Sequence, residues 1–136
     1  MNRNVALCLR AFAIWLLIIG VEIIHGAIRT FYLAPYVGDF QARQIGVLTG
    51  SILIFAITYL SVRWLRASTD AALLCVGSIW LALTLVFEFT FGRWVLGRPW
   101  DDLWLDFEIW RGGLFGIGLL FLTLAPLLAA RLRARR

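Results

Sequence analysis

The fold of this chain is decided by residues 14–50, IWLLIIGVEIIHGAIRTFYLAPYVGDFQARQIGVLTG. The stretch contains two apolar segments joined by a polar connection, residues 29–43, in which Pro35 and Gly38 interrupt helical continuity. With its flanking residues, each apolar segment is long enough to cross the roughly 30 Å hydrocarbon core of a bilayer as a helix. The sequence therefore predicts a transmembrane helical hairpin at the start of the chain.

The composition of the whole chain also favours a membrane protein. Of its 136 residues, 62% are apolar and 15% are charged, whereas soluble domains average about 45–50% apolar and 25% charged residues. The net charge of +5 could suit a nucleic-acid partner. However, the basic residues are all arginine, flank apolar segments and form no basic stripe, so we predict a lipid bilayer as the partner and no nucleic acid.

Four transmembrane spans are predicted within one domain that covers residues 1–136. The spans cover approximately residues 5–28, 44–62, 71–91 and 112–130. Ser68, Thr69 and Asp70 offer N-caps for the third span. The predicted fold is an all-α integral membrane bundle of four helices.

A short amphipathic helix is predicted before the fourth span. Trp100, Leu103, Trp104 and Phe107 follow the i, i+3, i+4, i+7 spacing of one helical face. The acids of this segment lie off that face, and Pro99 suits a helix start. We expect the helix either to lie in the membrane interface or to pack on the outer end of the bundle.

The second half of the chain repeats the plan of the first. Glu22 and Gly26 match Glu88 and Gly92 at an offset of 66 residues. These matches predict two related hairpins, about residues 5–66 and 71–133, which run in the same direction and are related by an axis along the membrane normal. A GxxxG pair, which allows close helix packing, follows the connection in each half. The glycines are Gly46 and Gly50 in the first half and Gly112 and Gly116 in the second.

The arginine distribution predicts the orientation of the chain. The N-terminus, the middle loop and the C-terminal tail together hold eight arginines, against five in the two long connections. Cytoplasmic loops carry the excess of arginine, so both termini should be cytoplasmic and the long connections outside. The expected location is a bacterial inner membrane. The eight arginines are Arg3, Arg10, Arg63, Arg66, Arg131, Arg133, Arg135 and Arg136.

Two membrane-embedded acids are the first candidate site residues. A charged side chain near the bilayer centre costs roughly 2.5–3.5 kcal/mol, so Glu22 and Glu88 need a partner or a proton. Arg43 and Arg111 open the returning spans and should reach a similar depth. Pairs within one hairpin would be Glu22–Arg43 and Glu88–Arg111. The alternative pairs, Glu22–Arg111 and Glu88–Arg43, would join the two hairpins.

His25 is the sharpest candidate. Glu22, His25 and Arg29 share one helical face at i, i+3 and i+7, which suits a proton relay or a base, or simply an interfacial histidine bonded to Glu22 or a carbonyl. Gln44, with Arg29 and Arg43, could bind an anion or a lipid headgroup. The Glu-x-x-His motif occurs once and the cysteines are isolated in apolar runs, so we predict no metal and no cofactor.

Three functions remain open at this point. The first is a non-catalytic membrane subunit or scaffold held by buried Glu–Arg pairs near the outer face. The second is a proton- or ion-coupled transporter or channel for a small solute. Four helices leave little room for a pore, so this function would need a homo-oligomer; otherwise the exposed GxxxG faces would serve a membrane partner protein. The third, ranked last because no nucleophile–base pair is visible, is a lipid-acting membrane enzyme with His25 as its base.

Overall fold

The computed structural model describes residues 2–67 and 69–134, and helices account for nearly all of them. The predicted all-α class is confirmed. The structure also has four helices that are long and apolar enough to cross a membrane. Ser68, Arg135 and Arg136, which entered the predictions above, lie outside the described residues. The four helices are α1 (Arg3–Ile28), α3 (Asp39–Leu65), α4 (Asp70–Thr90) and α6 (Phe115–Ala134).

The connection between α1 and α3 is almost entirely helical, which corrects the predicted break over residues 29–43. α1 continues through a π-helical turn, Arg29–Leu33, into the short helix α2, Ala34–Val37. Pro35 is tolerated because it stands in the first turn of α2, where its missing N–H costs little. The break occurs at Gly38 alone, whose φ of 89° favours glycine, and α3 begins at the next residue.

The connection between α4 and α6 is longer and folds back onto the bundle. α4 is capped by Thr69, whose hydroxyl accepts a hydrogen bond from the Ala72 N–H, and it continues into a second π-helical turn, Phe91–Val95. The short helix α5 covers Trp100–Leu105, and a 3₁₀ turn follows at Ile109–Arg111.

Helix α5 packs on the end of the bundle, as one of the two predicted arrangements has it, and its position relative to a membrane interface stays a prediction. Leu103 of α5 is buried against Gly92. A Cβ added to Gly92 would lie 2.8 Å from Leu103 Cδ2. Phe107 stacks on Phe89 of α4 with ring centroids 5.8 Å apart. The end of the bundle that carries Gly38 and α5 is named the site end below.

Side-chain contacts give the direction of each helix. The Trp15 indole donates to Thr84 Oγ1 at 2.9 Å, and the Trp80 indole donates to the Ala11 carbonyl at 2.8 Å. Both bonds join residues 69 apart in sequence, so α1 and α4 run parallel. Helices α3 and α6 are also parallel, because Val47 lies beside Gly118 and Phe55 beside Phe121.

The four helices contact one another around a ring in the order α1, α3, α6, α4. Helices α1 and α4 are therefore neighbours, as are α3 and α6. A two-fold axis along the bundle would put each of these pairs at opposite corners, which differs from this ring order; the relation between the two predicted repeats stays a prediction. The two hairpins instead pack side by side, with helices of the same direction adjacent.

Among the glycines of the four long helices, Gly77 meets the neighbouring helix most closely, and it lies outside the predicted GxxxG pairs. A Cβ added there would lie 1.8 Å from the Thr123 carbonyl oxygen, so the backbones of α4 and α6 are in contact. Gly112 precedes α6 with a φ of 90°, so the second GxxxG pair is not a helix surface. The Gly116 Cα faces the Phe107 ring.

Candidate functional site

Polar side chains converge at the site end between α1, α3 and the connection that carries α5. Glu22, His25 and Arg29 face α3 from one side of α1. The predicted glycine pair of α3 makes room for two of them. A Cβ on Gly50 would lie 2.9 Å from Glu22 Oε2, and a Cβ on Gly46 would lie 3.0 Å from Arg29 Cδ. The glycines thus form a groove for charged side chains rather than for another helix.

His25 stands between a carboxylate and a hydroxyl. Its Nε2 lies 2.6 Å from Thr49 Oγ1, and its Nδ1 lies 3.4 Å from Glu22 Oε2. The Thr49 hydroxyl is also 3.2 Å from the Ile45 carbonyl, so its single proton serves either that carbonyl or the histidine. Each choice fixes a different imidazole tautomer.

The two tautomers differ in where a proton resides. When Thr49 donates to Nε2, Nδ1 carries its proton toward the Glu22 carboxylate. When Thr49 donates to the Ile45 carbonyl, Nε2 carries the proton and Nδ1 presents a lone pair to Glu22. The row Glu22–His25–Thr49 therefore places an imidazole between a carboxylate and a hydroxyl, where α1 contacts α3.

Asp106 joins two arginines at the centre of the site end. Its Oδ1 accepts from Arg43 Nε at 3.0 Å, and its Oδ2 accepts from Arg98 at 3.1 Å. The side chains of Asp106 and Arg43 are each 15% exposed. Asp39 also pairs with Arg43 from one helical turn earlier. Because Arg43 belongs to α3 and Asp106 follows α5, the bridge fastens the second connection to the first hairpin.

Backbone contacts hold Asp106 in position. The Phe115 N–H donates to its carbonyl at 3.0 Å, and a Cβ on Gly113 would lie 2.6 Å from the same oxygen. Gln44 adds a second link, because its Nε2 donates to the Gly112 carbonyl at 2.8 Å. The predicted site residue Gln44 therefore binds loop backbone.

The predicted Glu–Arg pairs are wrong. Arg43 pairs with Asp39 and Asp106, and Arg111 pairs with Glu108 at 3.0 Å on the surface, with 64% of its side chain exposed. Within residues 2–67 and 69–134, neither Glu22 nor Glu88 comes within 4.0 Å of a guanidinium nitrogen. The physical reason is that the connection carrying α5 places Asp106 closer to Arg43 than either glutamate lies.

Glu88 belongs to the site through longer-range electrostatics. It lies one turn before the second π-helical turn, half-buried, and the charges of Arg29 and Arg98 attract it while that of Asp106 opposes it. Glu22 in turn interacts with the charges of Arg29 and Glu88. The site end thus holds a mixed cluster of acids and arginines in which α1 and α4 each contribute one glutamate.

Two atoms of this cluster are buried and make no hydrogen bond to any group in the described part of the chain. They are Glu22 Oε1 and Arg29 Nε. Buried polar atoms are normally paired, so these two are the points at which a water or a small polar ligand would gain a hydrogen bond. No group of three His, Cys, Asp or Glu in the searched ranges 2–67 and 69–134 could hold a metal ion.

Sequence reasoning missed four contributors to the site. They are Asp39, Thr49, Arg98 and Asp106. The acids of this segment, Asp106 among them, were predicted only to lie off the apolar face, but α5 ends at Leu105 and Asp106 bonds Arg43 and Arg98. The contact of Thr49 with His25 was not predicted, because a threonine in an apolar span most often bonds a carbonyl of its own helix. Thr49 also makes such a bond here.

Known proteins add nothing to this geometry. No protein-family model, curated protein sequence or solved structure matches the chain.

Proposed function

We propose that the chain is an integral membrane protein whose four helices span a bacterial inner membrane, with both termini in the cytoplasm and the site end outside. The support is the length and apolarity of the four helices, together with the excess of arginine at the termini and the middle loop. In this placement the charged cluster lies in the outer part of the bundle, where only mutual contacts can compensate its charges.

The two hairpins are proposed to be copies of one ancestral unit. Three features support this: the shared Glu-x3-Gly motif, the parallel course of α1 and α4, and the π-helical turn that ends each of these two helices. A π turn is rare, so finding one at the same end of both helices is informative.

We infer that the protein is a non-catalytic membrane subunit or scaffold whose outer end is clamped by Asp106. The observation that carries this proposal is the bridge in which each oxygen of one carboxylate is held by a different arginine. Such charge-assisted bonds are about twice as strong as neutral ones, and they fix the position of α5 relative to α3. A rigid outer end of this kind could serve as the surface to which a second copy or a membrane partner protein binds.

The clamp is tested with Asp106→Asn and the matched control Asp101→Asn. Asp101 is an exposed acid of the same connection that makes no ion pair in the described structure. We expect Asp106→Asn to lower the free energy of unfolding in detergent by about 2–3 kcal/mol, and Asp101→Asn to leave it unchanged. Equal stability of the two variants would reject the clamp.

The subunit role is tested separately by native mass spectrometry after purification in a mild detergent. A stoichiometric partner protein, or a defined homo-oligomer that Asp106→Asn dissociates, is the expected result. A monomer without a partner, in wild type and variant alike, contradicts the proposal.

A second candidate, proton-coupled transport by a homo-oligomer, is favoured by the row Glu22–His25–Thr49 and by the unpaired Glu22 Oε1. Its test is proton flux in liposomes with Glu22→Gln, using Glu108→Gln as a control in an exposed surface pair. Loss of flux at unchanged stability would favour transport over the scaffold. A His25-dependent change in the mass of added lipids would instead favour the lipid-acting enzyme.

A further inference from the structure

A basic groove lies at the end of the bundle opposite the site end, between the C-terminal turns of α3 and α6. It encloses about 240 Å³. Among residues 2–67 and 69–134, three arginines and small apolar side chains line it, and no acid does. The lining residues are Val62, Arg63, Arg66, Ala67, Ala130, Arg133 and Ala134.

The charges of this groove are not compensated by neighbouring acids. Asp70, the acid at this end of the bundle, is paired with Arg131 at 2.9 Å. Arg66 adopts a left-handed conformation with a φ of 55° at the end of α3, and its N–H bonds the Arg63 carbonyl. Because α3 ends in this turn, both Arg63 and Arg66 line the groove.

An apolar groove continues from the basic one along α3. It has a volume of about 350 Å³ and is lined by residues 55, 56, 59 and 60. Phe55, Tyr59, Val62 and Arg66 follow the spacing of one helical face, so the two grooves form a single track. Arg133 joins them, because it donates to the Tyr59 carbonyl at 2.8 Å and its guanidinium lies 5.1 Å from the Tyr59 ring centroid.

We propose that this track binds one anionic phospholipid, with the headgroup phosphate among Arg63, Arg66 and Arg133 and an acyl chain along the apolar groove. Guanidinium groups match phosphate oxygens in geometry and charge, and basic pockets between membrane helices bind anionic headgroups on the cytoplasmic side. A free anion would use only the basic part, whereas the adjoining nonpolar groove matches a lipid tail. The proposal needs the chain to span a bilayer but is independent of the clamp at Asp106.

The test is native mass spectrometry of the full chain titrated with phosphatidylglycerol or phosphatidylethanolamine in detergent. We expect phosphatidylglycerol to bind more tightly. Replacing all three arginines by glutamine should weaken its binding about 100-fold, since each cationic contact contributes about fivefold. Arg93→Gln with Arg111→Gln, at the site end, is the matched control and should not change binding.

Two further variants keep the result interpretable. Changing Arg63, Arg66 and Arg133 to lysine preserves the charge that sets topology but removes the guanidinium geometry, and it should cause an intermediate loss. Ala56→Leu fills the apolar groove and should weaken phosphatidylglycerol binding while leaving the basic groove unchanged. Equal affinity for the two lipids, displacement of the lipid by inorganic phosphate, or full binding by the glutamine variant would each overturn the proposal.

Discussion

Substitution of Gly77 by alanine should force α4 and α6 apart. The added Cβ would lie 1.8 Å from the Thr123 carbonyl oxygen and 2.7 Å from its carbonyl carbon. Both atoms are backbone, so no side-chain rotation can relieve the contact. Ordinary van der Waals contact begins near 3.4 Å, and the two helices must therefore separate by about 1.6 Å at this point.

The cost of this separation can be estimated from the packing it removes. A gap of 0.5–1 Å already forfeits about a quarter to a half of the dispersion energy of each contact. Overpacking of a core costs about 1–3 kcal/mol, and a rigid backbone clash belongs at the upper end of that range. We expect Gly77→Ala to lower the free energy of unfolding by about 3 kcal/mol.

The matched control is Gly20→Ala in α1. Gly20 is also inside a long helix, but nothing lies within 4 Å of the position of its Cβ. Alanine is the better helix former, so this variant should be neutral or more stable by up to about 1 kcal/mol. Thermal unfolding in detergent, followed by tryptophan fluorescence and circular dichroism, measures both. A Gly77→Ala protein as stable as Gly20→Ala would refute the backbone contact between α4 and α6.

Two other substitutions probe the core and the site. Trp80→Phe removes a fully buried indole and its 2.8 Å bond to a carbonyl of α1, and should cost about 2–4 kcal/mol, whereas the same change at Trp110, 78% exposed, should have no effect on thermal unfolding. Gly50→Ala meets the flexible Glu22 carboxylate at 2.9 Å and should cost less than about 1 kcal/mol in stability. It should nevertheless shift the ring ¹⁵N resonances of His25, the single histidine, by displacing the acid beside it. Unchanged resonances would contradict the Glu22–His25 contact.

The positions of the four long helices were predictable from the sequence, because they follow from the length and apolar composition of four segments. The predicted third span, 71–91, ends within one residue of α4, and Thr69 caps it as expected. The start of the second helix was predicted five residues late, at 44 instead of 39. Pro35 was predicted to interrupt the helix. It is accommodated because a π-helical turn precedes it and it lies in the first turn of α2. The helical course ends only at Gly38, which has a positive φ.

The contacts of the charged residues were not predictable in the same way. The spacing of Glu22, His25 and Arg29 correctly indicated that they share a face, because that property is local. The partner of Arg43 depends on how the distant connection that carries α5 folds back, because that fold brings Asp106 to Arg43. Sequence periodicity carries no information about such a contact between residues far apart in the sequence.

The side-by-side arrangement of the two hairpins has a consequence for assembly. Each hairpin is continuous in sequence, and the interfaces of α1 with α4 and of α3 with α6 join the hairpins only laterally. We therefore expect the packing of the four helices not to require a covalent link between Leu65 and Asp70. Two separately translated fragments, divided within that link, should insert independently, find each other in the lipid and reconstitute the complete protein.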